Sequence, residues 1–335
     1  MLVILVAISL GASALWAADP PTAPAKGEPV PLPDAPEQQF DFWQGEWDVT
    51  NWHPNAEGEW QETGEAHCRA QSVAGGNALL ERWIGVAQGR LIGFSLRAYD
   101  PEREIWEVYL NWHTGEPTGF FVMHGERDGD AMLLFPPGNK TAVRYTFSRA
   151  HENSCQWDLA RSQDGGKTWA TQWVMHFSRR GEPRVENAAS VDIEKVPREA
   201  KKFEATRELD DLIGVWTGTV KSADGDDTRV DVRVTPMIEG FGLLQFTDTS
   251  SGDQDLLAMA WEKAADSWSA VGATSRAIGL TRFEGELADG GATFTAEQTR
   301  ESWIRQSDDR YTWRRESRDG DAWTVSLEVE LERVD

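Results

Sequence analysis

The residues able to do acid–base or metal chemistry are concentrated in the first half of this chain. All six histidines, His53, His67, His113, His124, His151 and His176, lie there, together with both cysteines, Cys68 and Cys155. Imidazole titrates near neutrality, so a general acid–base pair draws on histidine first. His113 and His124 are the weak catalytic candidates, because Glu107, Glu116 and Glu126 stand close to them in sequence. No metal site is expected, since the sequence lacks the H-x-H, C-x-x-C and H-E-x-x-H spacings that gather zinc ligands. No spacing assembles a Ser-His-Asp nucleophile either. Cys68 shares a strand face with Ala66 and Ala70, and Cys155 with Trp157 and Leu159, so both thiols should point inward. In an oxidising compartment they are able to form a disulfide; two buried free thiols are the alternative.

The elements that must position these groups read as strands. Trp106, Val108, Leu110 and Trp112 alternate on one face, and so do Ile92, Phe94, Leu96 and Ala98. Near the end, Trp323, Val325, Leu327, Val329 and Leu331 form a dry face against Thr324, Ser326, Glu328, Glu330 and Glu332. Strands with one wet and one dry side belong to antiparallel sheets or closed barrels. Turn pairs such as Asp100-Pro101, Asp128-Gly129 and Asp319-Gly320 punctuate the runs. The fold class is therefore all-β.

Charge excludes some partners. A net charge of −23 leaves no basic surface for nucleic acid or anionic lipid. Residues 1–18 read as a signal peptide: MLVILVAISLGASALWA is an apolar run ending in small residues, with Ala12-Ser13-Ala14 fitting a cleavage site and Ala17 or Ala18 as alternatives. No Lys or Arg precedes its apolar core. The expectation is a periplasmic or secreted protein with no stable membrane insertion after cleavage. Residues 19–39 are dense in proline and read as a linker with no fold of their own. Residues 40–182 and 208–335 read as two domains, with a charged linker over 183–207 and a short helix within Pro197 to Leu209.

The two domains are copies. Gly45-Glu46-Trp47 matches Gly214-Val215-Trp216, and the run Gly76 to Leu80 matches Gly240 to Leu244. Trp106, Trp157 and Trp169 match Trp268, Trp313 and Trp323 in order, and Gly125-Glu126 matches Gly285-Glu286. Arg179 follows Trp169 at the spacing at which Arg333 follows Trp323.

Gly-x-Trp on a first strand with Arg on a last strand resembles the calycin, or lipocalin-like, signature. The wording FDFWQGEWDV with DGGKTW is similar to bacterial exported domains of unknown function in that superfamily. The resemblance implies two consecutive antiparallel lipocalin-like β-barrels. Gly45, Trp47 and Arg179 would clasp the first, and Gly214, Trp216 and Arg333 the second. Nitrobindin-like relatives hold haem through a histidine near the end of the barrel. His176 is similarly placed, but strand phase with Trp169, Trp173, Met175, Phe177 and Arg179 inward, by analogy with the second copy, turns it outward, so no cofactor is expected and haem is the alternative. On phase, His124 looks inward beside Phe120 and Val122, or outward if Phe121 and Met123 point in. Ser162 to Trp169 also matches the Asp-box of sialidase propellers; a single copy implies a turn device.

The aromatic content of the first copy gives the functional expectation. Phe94, Trp106, Trp112, Met123, Trp173 and Phe177 fall on inward phases and would line a site for a small hydrophobic or amphipathic molecule. Two other readings stand beside this non-catalytic binding protein. One is a lipocalin-fold enzyme of the hydratase or isomerase kind acting on an apolar substrate. The other is an envelope scaffold with solid barrels, whose protein partner the sequence does not identify.

Overall fold

The computed structural model describes residues 19–86, 90–112, 116–181, 204–221, 226–288 and 291–334. The expected signal peptide and almost all of the interdomain linker lie outside these residues. Within the linker and helix calls, residues Glu204–Arg207 form a 3-10 turn.

Each barrel begins the same way. A 3-10 turn, Asp41–Trp43 or Asp210–Leu212, runs into a glycine and then a strand. Gly45 has φ 137° and Gly214 φ 150°, backbone that a side chain strongly disfavours. The first copy continues as β1 (Gly45–Pro54), β2 (Trp60–Val73), β3 (Ala78–Gly85), β4 (Arg90–Asp100) and β5 (Ile105–Trp112). It ends with β6 (Phe121–Asp128), β7 (Ala131–Phe135), β8 (Val143–His151), β9 (Ser154–Arg161) and β10 (Ala170–Gly181). The second copy comprises β11 (Gly214–Val220), β12 (Thr228–Met237), β13 (Gly242–Thr249), β14 (Gln254–Glu262) and β15 (Ser267–Thr274). It closes with β16 (Ala277–Ala288), β17 (Gly291–Thr295), β18 (Thr299–Ser307), β19 (Arg310–Asp319) and β20 (Ala322–Arg333). Each set of ten is an antiparallel meander closed on itself, β1 against β10 and β11 against β20. Closure leaves no sheet edge to cap.

The clasp is the same in both barrels. The Arg179 guanidinium lies 4.2 Å from the Trp47 ring centre, and Arg333 lies 4.1 Å from that of Trp216. Each guanidinium donates to carbonyls of the preceding turn: Arg179 to Phe42 and Gln44, Arg333 to Asp211 and Ile213. The Trp47 indole N–H donates to Trp43 O and that of Trp216 to Leu212 O, both at 2.8 Å. The cation thus keeps its head hydrogen-bonded and its stem on an aromatic face, which is how an arginine is tolerated at the end of a dry strand.

Glycine also explains a repeated close approach. A Cβ on Gly125 would meet the Trp106 Cβ at 2.9 Å, and one on Gly285 would meet that of Trp268 at 2.8 Å. The strand crossing each tryptophan must be bare there, as the matched pairs imply.

Two strand phases differ from expectation, for one reason. A bulge shifts the β9–β10 register between Thr171 and Trp173, and another shifts β19–β20 between Arg315 and Glu316. One extra residue turns the rest of the strand over. Trp169 and Trp323 therefore lie outside, under Arg144 at 4.4 Å and Arg300 at 4.8 Å. Val325 follows Trp323 out, and is 48% exposed.

Residues 19–39 are also more than a tether. They run along barrel 1 in an extended path: Val30 N donates to Ala150 O, Glu152 N to Glu28 O and Asn153 N to Lys26 O. Side chains of the wall join in, with Ala23 N donating to Gln156 Oε1 and Lys26 N to Ser154 Oγ. Ala23 and Leu32 are buried. Proline removes amide donors but leaves carbonyls, and Arg127 Nη1 finds that of Pro33.

The Asp-box match is a turn. Asp164 accepts from the amides of Lys167 and Thr168 and the hydroxyls of Thr168 and Ser162. The Thr168 amide first, then the two hydroxyls, lower its pKa from 3.8 to about 2. Because the folded value is depressed, the contribution of this turn is complete above about pH 4 and is lost as pH falls through about 2. Amide protection factors at Lys167 and Thr168 should hold from neutral pH to about pH 4 and then fall. In Asp164→Ala they should be low throughout; pH-independent protection in the native chain contradicts this account.

Candidate functional site

The interior of barrel 1 contains a buried ion pair that the sequence patterns did not bring out. β3 places Leu79, Glu81 and Trp83 on one face, and β4 pairs them with Arg97, Ser95 and Gly93. Glu81 is 3% exposed, Arg97 1% and Ser95 1%. The Glu81 carboxylate accepts from four donors: Arg97 Nη2, Ser95 Oγ at 2.7 Å, Trp83 Nε1 at 2.7 Å and Cys68 Sγ at 3.4 Å. Burial pushes the Arg97 guanidinium down, against the pull of Glu81. Burial first, then Glu81, pushes the Cys68 thiol well up, so it sits there as a neutral donor.

Aromatic rings enclose this pair at the clasped end. The guanidinium carbon of Arg97 lies 4.9 Å from the centre of Phe40 and 5.3 Å from that of Phe147. Phe40 meets Trp106 edge-on at 4.9 Å, and Trp43 meets Phe177 at 4.5 Å. This end is a solid floor.

The other end differs. Along the inward face of β10, Phe177 is 1% exposed and Met175 4%, while Trp173 is half-buried. Its ladder partner Leu159 and the next partner, Tyr145, are half-buried too. Trp157 bridges the group, 4.9 Å from Tyr145 and 5.2 Å from Trp173. Trp173 Nε1 donates to Asn51 Oδ1 at 3.0 Å, and His53 stacks on Trp173 at 5.1 Å. Burial pushes the His53 imidazole below its ordinary value. These residues form a mouth that is aromatic inside and polar at its rim.

Barrel 2 answers each position differently. By ladder position, Glu81, Ser95 and Arg97 correspond to Gln245, Leu257 and Met259. Gln245 is neutral and satisfied: it accepts from Trp303 Nε1 at 3.0 Å and donates to Thr247 Oγ1. The mouth positions Tyr145, Leu159 and Trp173 correspond to Glu301, Arg315 and Leu327, and Gly93 to Asp255. Arg315 Nη2 bonds Glu301 at 2.7 Å and Asp255 at 2.8 Å, which ties three strands together across that end.

The expected ligand-lining residues are thus dispersed. Trp106 and Phe177 belong to the floor, Met123 is fully buried on the inward face of β6, and Trp173 stands at the mouth. Trp112 is half-buried at the end of β5, on the face of Trp106. Phe94 is misassigned: it pairs with Arg82 on the opposite face of β4 from Ser95 and Arg97. Both faces of β4 are buried, so apolar alternation selects the wrong one.

His113 lies outside the described residues. His124 faces away from the interior, 3.8 Å from Glu107 with Arg103 beside both. Burial and then Arg103 lower its pKa. His176 is also outward, against Trp52 and the Pro21 carbonyl. Cys68 and Cys155 are inward, buried and free. A Cys68–Cys155 disulfide is ruled out by the topology, because β1 and β10 stand between β2 and β9. Three strand spacings make about 14 Å along the wall, against a Cα limit of about 7 Å. Among the described residues, no group of three or more His, Cys, Asp or Glu is placed to hold a metal ion.

Comparison with known proteins adds little. No protein family and no curated protein matches the sequence. Among solved structures the chain is similar to a protein of unknown function from the DUF3598 family of Nostoc punctiforme. That likeness has 14% identity and a TM-score of 0.27, over 88% of this chain and 97% of that one. It is also similar to kievitone hydratase from Nectria haematococca, with 8% identity and a TM-score of 0.17 over 93% and 96% of the two chains. A third likeness is to isotype 1 transferrin binding protein B from Neisseria meningitidis, with 6% identity and a TM-score of 0.18 over 87% and 76%. Scores of this size carry no argument, and the architecture rests on the chain's own geometry: an all-β protein of two consecutive closed antiparallel ten-stranded barrels.

Proposed function

We propose that this chain is an exported binding protein and that barrel 1 holds a small hydrophobic or amphipathic molecule, admitted between Tyr145, Leu159 and Trp173. One observation carries the reading: two of the three half-buried positions at the mouth of barrel 1, Tyr145 and Leu159, are Glu301 and Arg315 in barrel 2, where they join Asp255 in an ion network, while Trp173 is matched by Leu327. Two copies of one scaffold that differ at this end support a division of labour, with one end open and the other stitched. Trp83, Trp157 and Met123 would supply apolar contact, and Asn51 and His53 would orient the ligand at the rim. Export rests on the apolar run of residues 1–18.

A hydratase or isomerase on this scaffold needs a proton-transfer group facing the ligand. His124 and Glu107, the acid–base pair expected from the sequence, face away from the interior, which removes that pair from such a mechanism. A solid envelope scaffold would give no saturable uptake of an apolar probe.

The test uses 1-aminoanthracene, an uncharged fluorescent probe, titrated into the full chain while tryptophan emission is followed. Saturable quenching at one probe per chain is expected. The variant Tyr145→Glu with Leu159→Arg installs the barrel 2 pair and should weaken binding at least tenfold while the fold is kept. Equal binding by the two proteins would falsify the assigned mouth.

A further inference from the structure

We infer that Arg161, at the rim of barrel 1, seats the head group of an anionic amphiphile, a carboxylate whose apolar tail enters between Tyr145, Leu159 and Trp173. The inference rests on the proposal that barrel 1 takes a ligand at this end, and it names the ligand's head.

β9 carries the geometry. Its inward residues run Cys155, Trp157, Leu159 and Arg161, and exposure rises along them: Cys155 is 0% exposed and Trp157 6%, Leu159 is half-buried and Arg161 is exposed. The β8–β9 ladder is continuous from Phe147–Trp157 through Tyr145–Leu159 to Val143–Arg161, so Arg161 keeps the phase of Leu159. On its other side Arg161 pairs with Ala170, and the extra residue of the β9–β10 bulge belongs to β10. Arg161 therefore stands one inward step beyond Leu159, about 7 Å further out along the strand. Burial pushes the Tyr145 phenol above its ordinary value, and the Arg161 charge opposes that shift. The charge thus reaches the mouth, beside a phenol that stays a neutral donor.

No carboxylate among the described residues lies within ion-pair distance of Arg161. Asp158 is on the opposite face of β9, bonded to Gln156. Asp164 is held in its own turn by Ser162, Lys167 and Thr168.

The second copy treats its arginines at this end differently. By ladder position Arg161 corresponds to Ser317. The arginine of barrel 2 stands one step deeper, at Arg315, where Glu301 and Asp255 meet it, and Asp255 also pairs with Arg276. Barrel 2 supplies those anions itself. Barrel 1 has Tyr145 and Gly93 in the places of Glu301 and Asp255, which leaves the anion to come from outside.

Chemistry narrows that anion. The planar guanidinium fork matches the two oxygens of a carboxylate. One cation balances one charge, and a chain of net charge −23 disfavours a second. A single head group needs one arginine, whereas an anionic membrane needs a basic surface.

The experiment displaces 1-aminoanthracene from the full chain with monomeric decanoate, decanol or decyltrimethylammonium, at about pH 8, where a carboxyl is ionised. Decanoate should act at about fivefold lower concentration than decanol, the effect of one partly exposed charge pair. Decyltrimethylammonium should need more than decanol. Arg161→Ser carries the residue that barrel 2 holds at this place, and in it decanoate and decanol should act alike. Arg161→Lys keeps the charge without the fork and should retain part of the decanoate preference. Equal action of decanoate and decanol on the native chain overturns this inference and leaves the binding proposal standing. So does a preference for decyltrimethylammonium, or a decanoate preference that survives in Arg161→Ser. Failure of 1-aminoanthracene to bind the native chain overturns the binding proposal and this inference with it.

Discussion

Arg97→Met alone should destabilise barrel 1 by about 3–5 kcal/mol, and adding Glu81→Gln should recover most of that loss. The single change removes the cation and leaves Glu81 ionised in a dry interior, with Ser95, Trp83 and Cys68 still donating to it but no charge opposite. The double change removes both charges and installs the residues that hold the same ladder positions in the second copy, Gln245 and Met259. A buried pair is weak evidence for stability but strong evidence for interdependence, and this contrast measures the second property. Urea unfolding, read through hydrogen exchange of β3 and β4 amides, checks it. Single and double variants of equal stability would contradict the assignment of Glu81 and Arg97 as one unit.

Trp47→Ala and Trp216→Ala should each cost about 3–5 kcal/mol, the range for removing a large buried aromatic side chain. Both indoles are 0% exposed. Each loses its bond to the preceding turn, and each strips the stacking surface from an arginine whose guanidinium is tied to backbone carbonyls. The effect should stay within the barrel that carries the substitution, because β1 closes one sheet and β11 the other. Amide exchange should therefore accelerate in β1, β2 and β10 for Trp47→Ala, and in β11, β12 and β20 for Trp216→Ala. Uniform acceleration across both barrels for either variant would contradict a clasp local to each.

The clasp was legible in the sequence because it is duplicated. Gly45, Trp47 and Arg179 recur as Gly214, Trp216 and Arg333 in different surroundings, so shared geometry is the one reading both copies allow. Strand phase was legible where a strand has one wet face, as over Leu327, Val329 and Leu331. It failed beyond the bulges, because an extra residue reverses the alternation without leaving a mark in composition. Trp169, Trp323 and Val325 went to the wrong face for that reason.

The buried pair was hidden by a different effect. β4 is buried on both sides, and the larger residues, Ile92, Phe94 and Leu96, occupy the outward one. Apolar content then points away from the interior, and Ser95 and Arg97 read as the wet face. The signal that does exist is comparative: Glu81 aligns with Gln245 two residues beyond the matched leucine, and a polar residue at that place in both copies marks an interior position. The docked path of residues 19–39 had no signal of that kind. It is held through backbone groups and side chains of β8 and β9, which proline-rich composition does not encode.

The proposed function makes a single claim: barrel 1 takes a small molecule at the end formed by Tyr145, Leu159 and Trp173, and barrel 2 does not. Native mass spectrometry of the full chain, purified from its own cells and never denatured, tests that claim most directly. The account predicts a species heavier than the chain by one small organic molecule. That molecule should be released on unfolding. It should be missing from the Tyr145→Glu, Leu159→Arg variant prepared in the same way. A native chain whose folded mass equals that of its polypeptide alone, in every preparation, would contradict it.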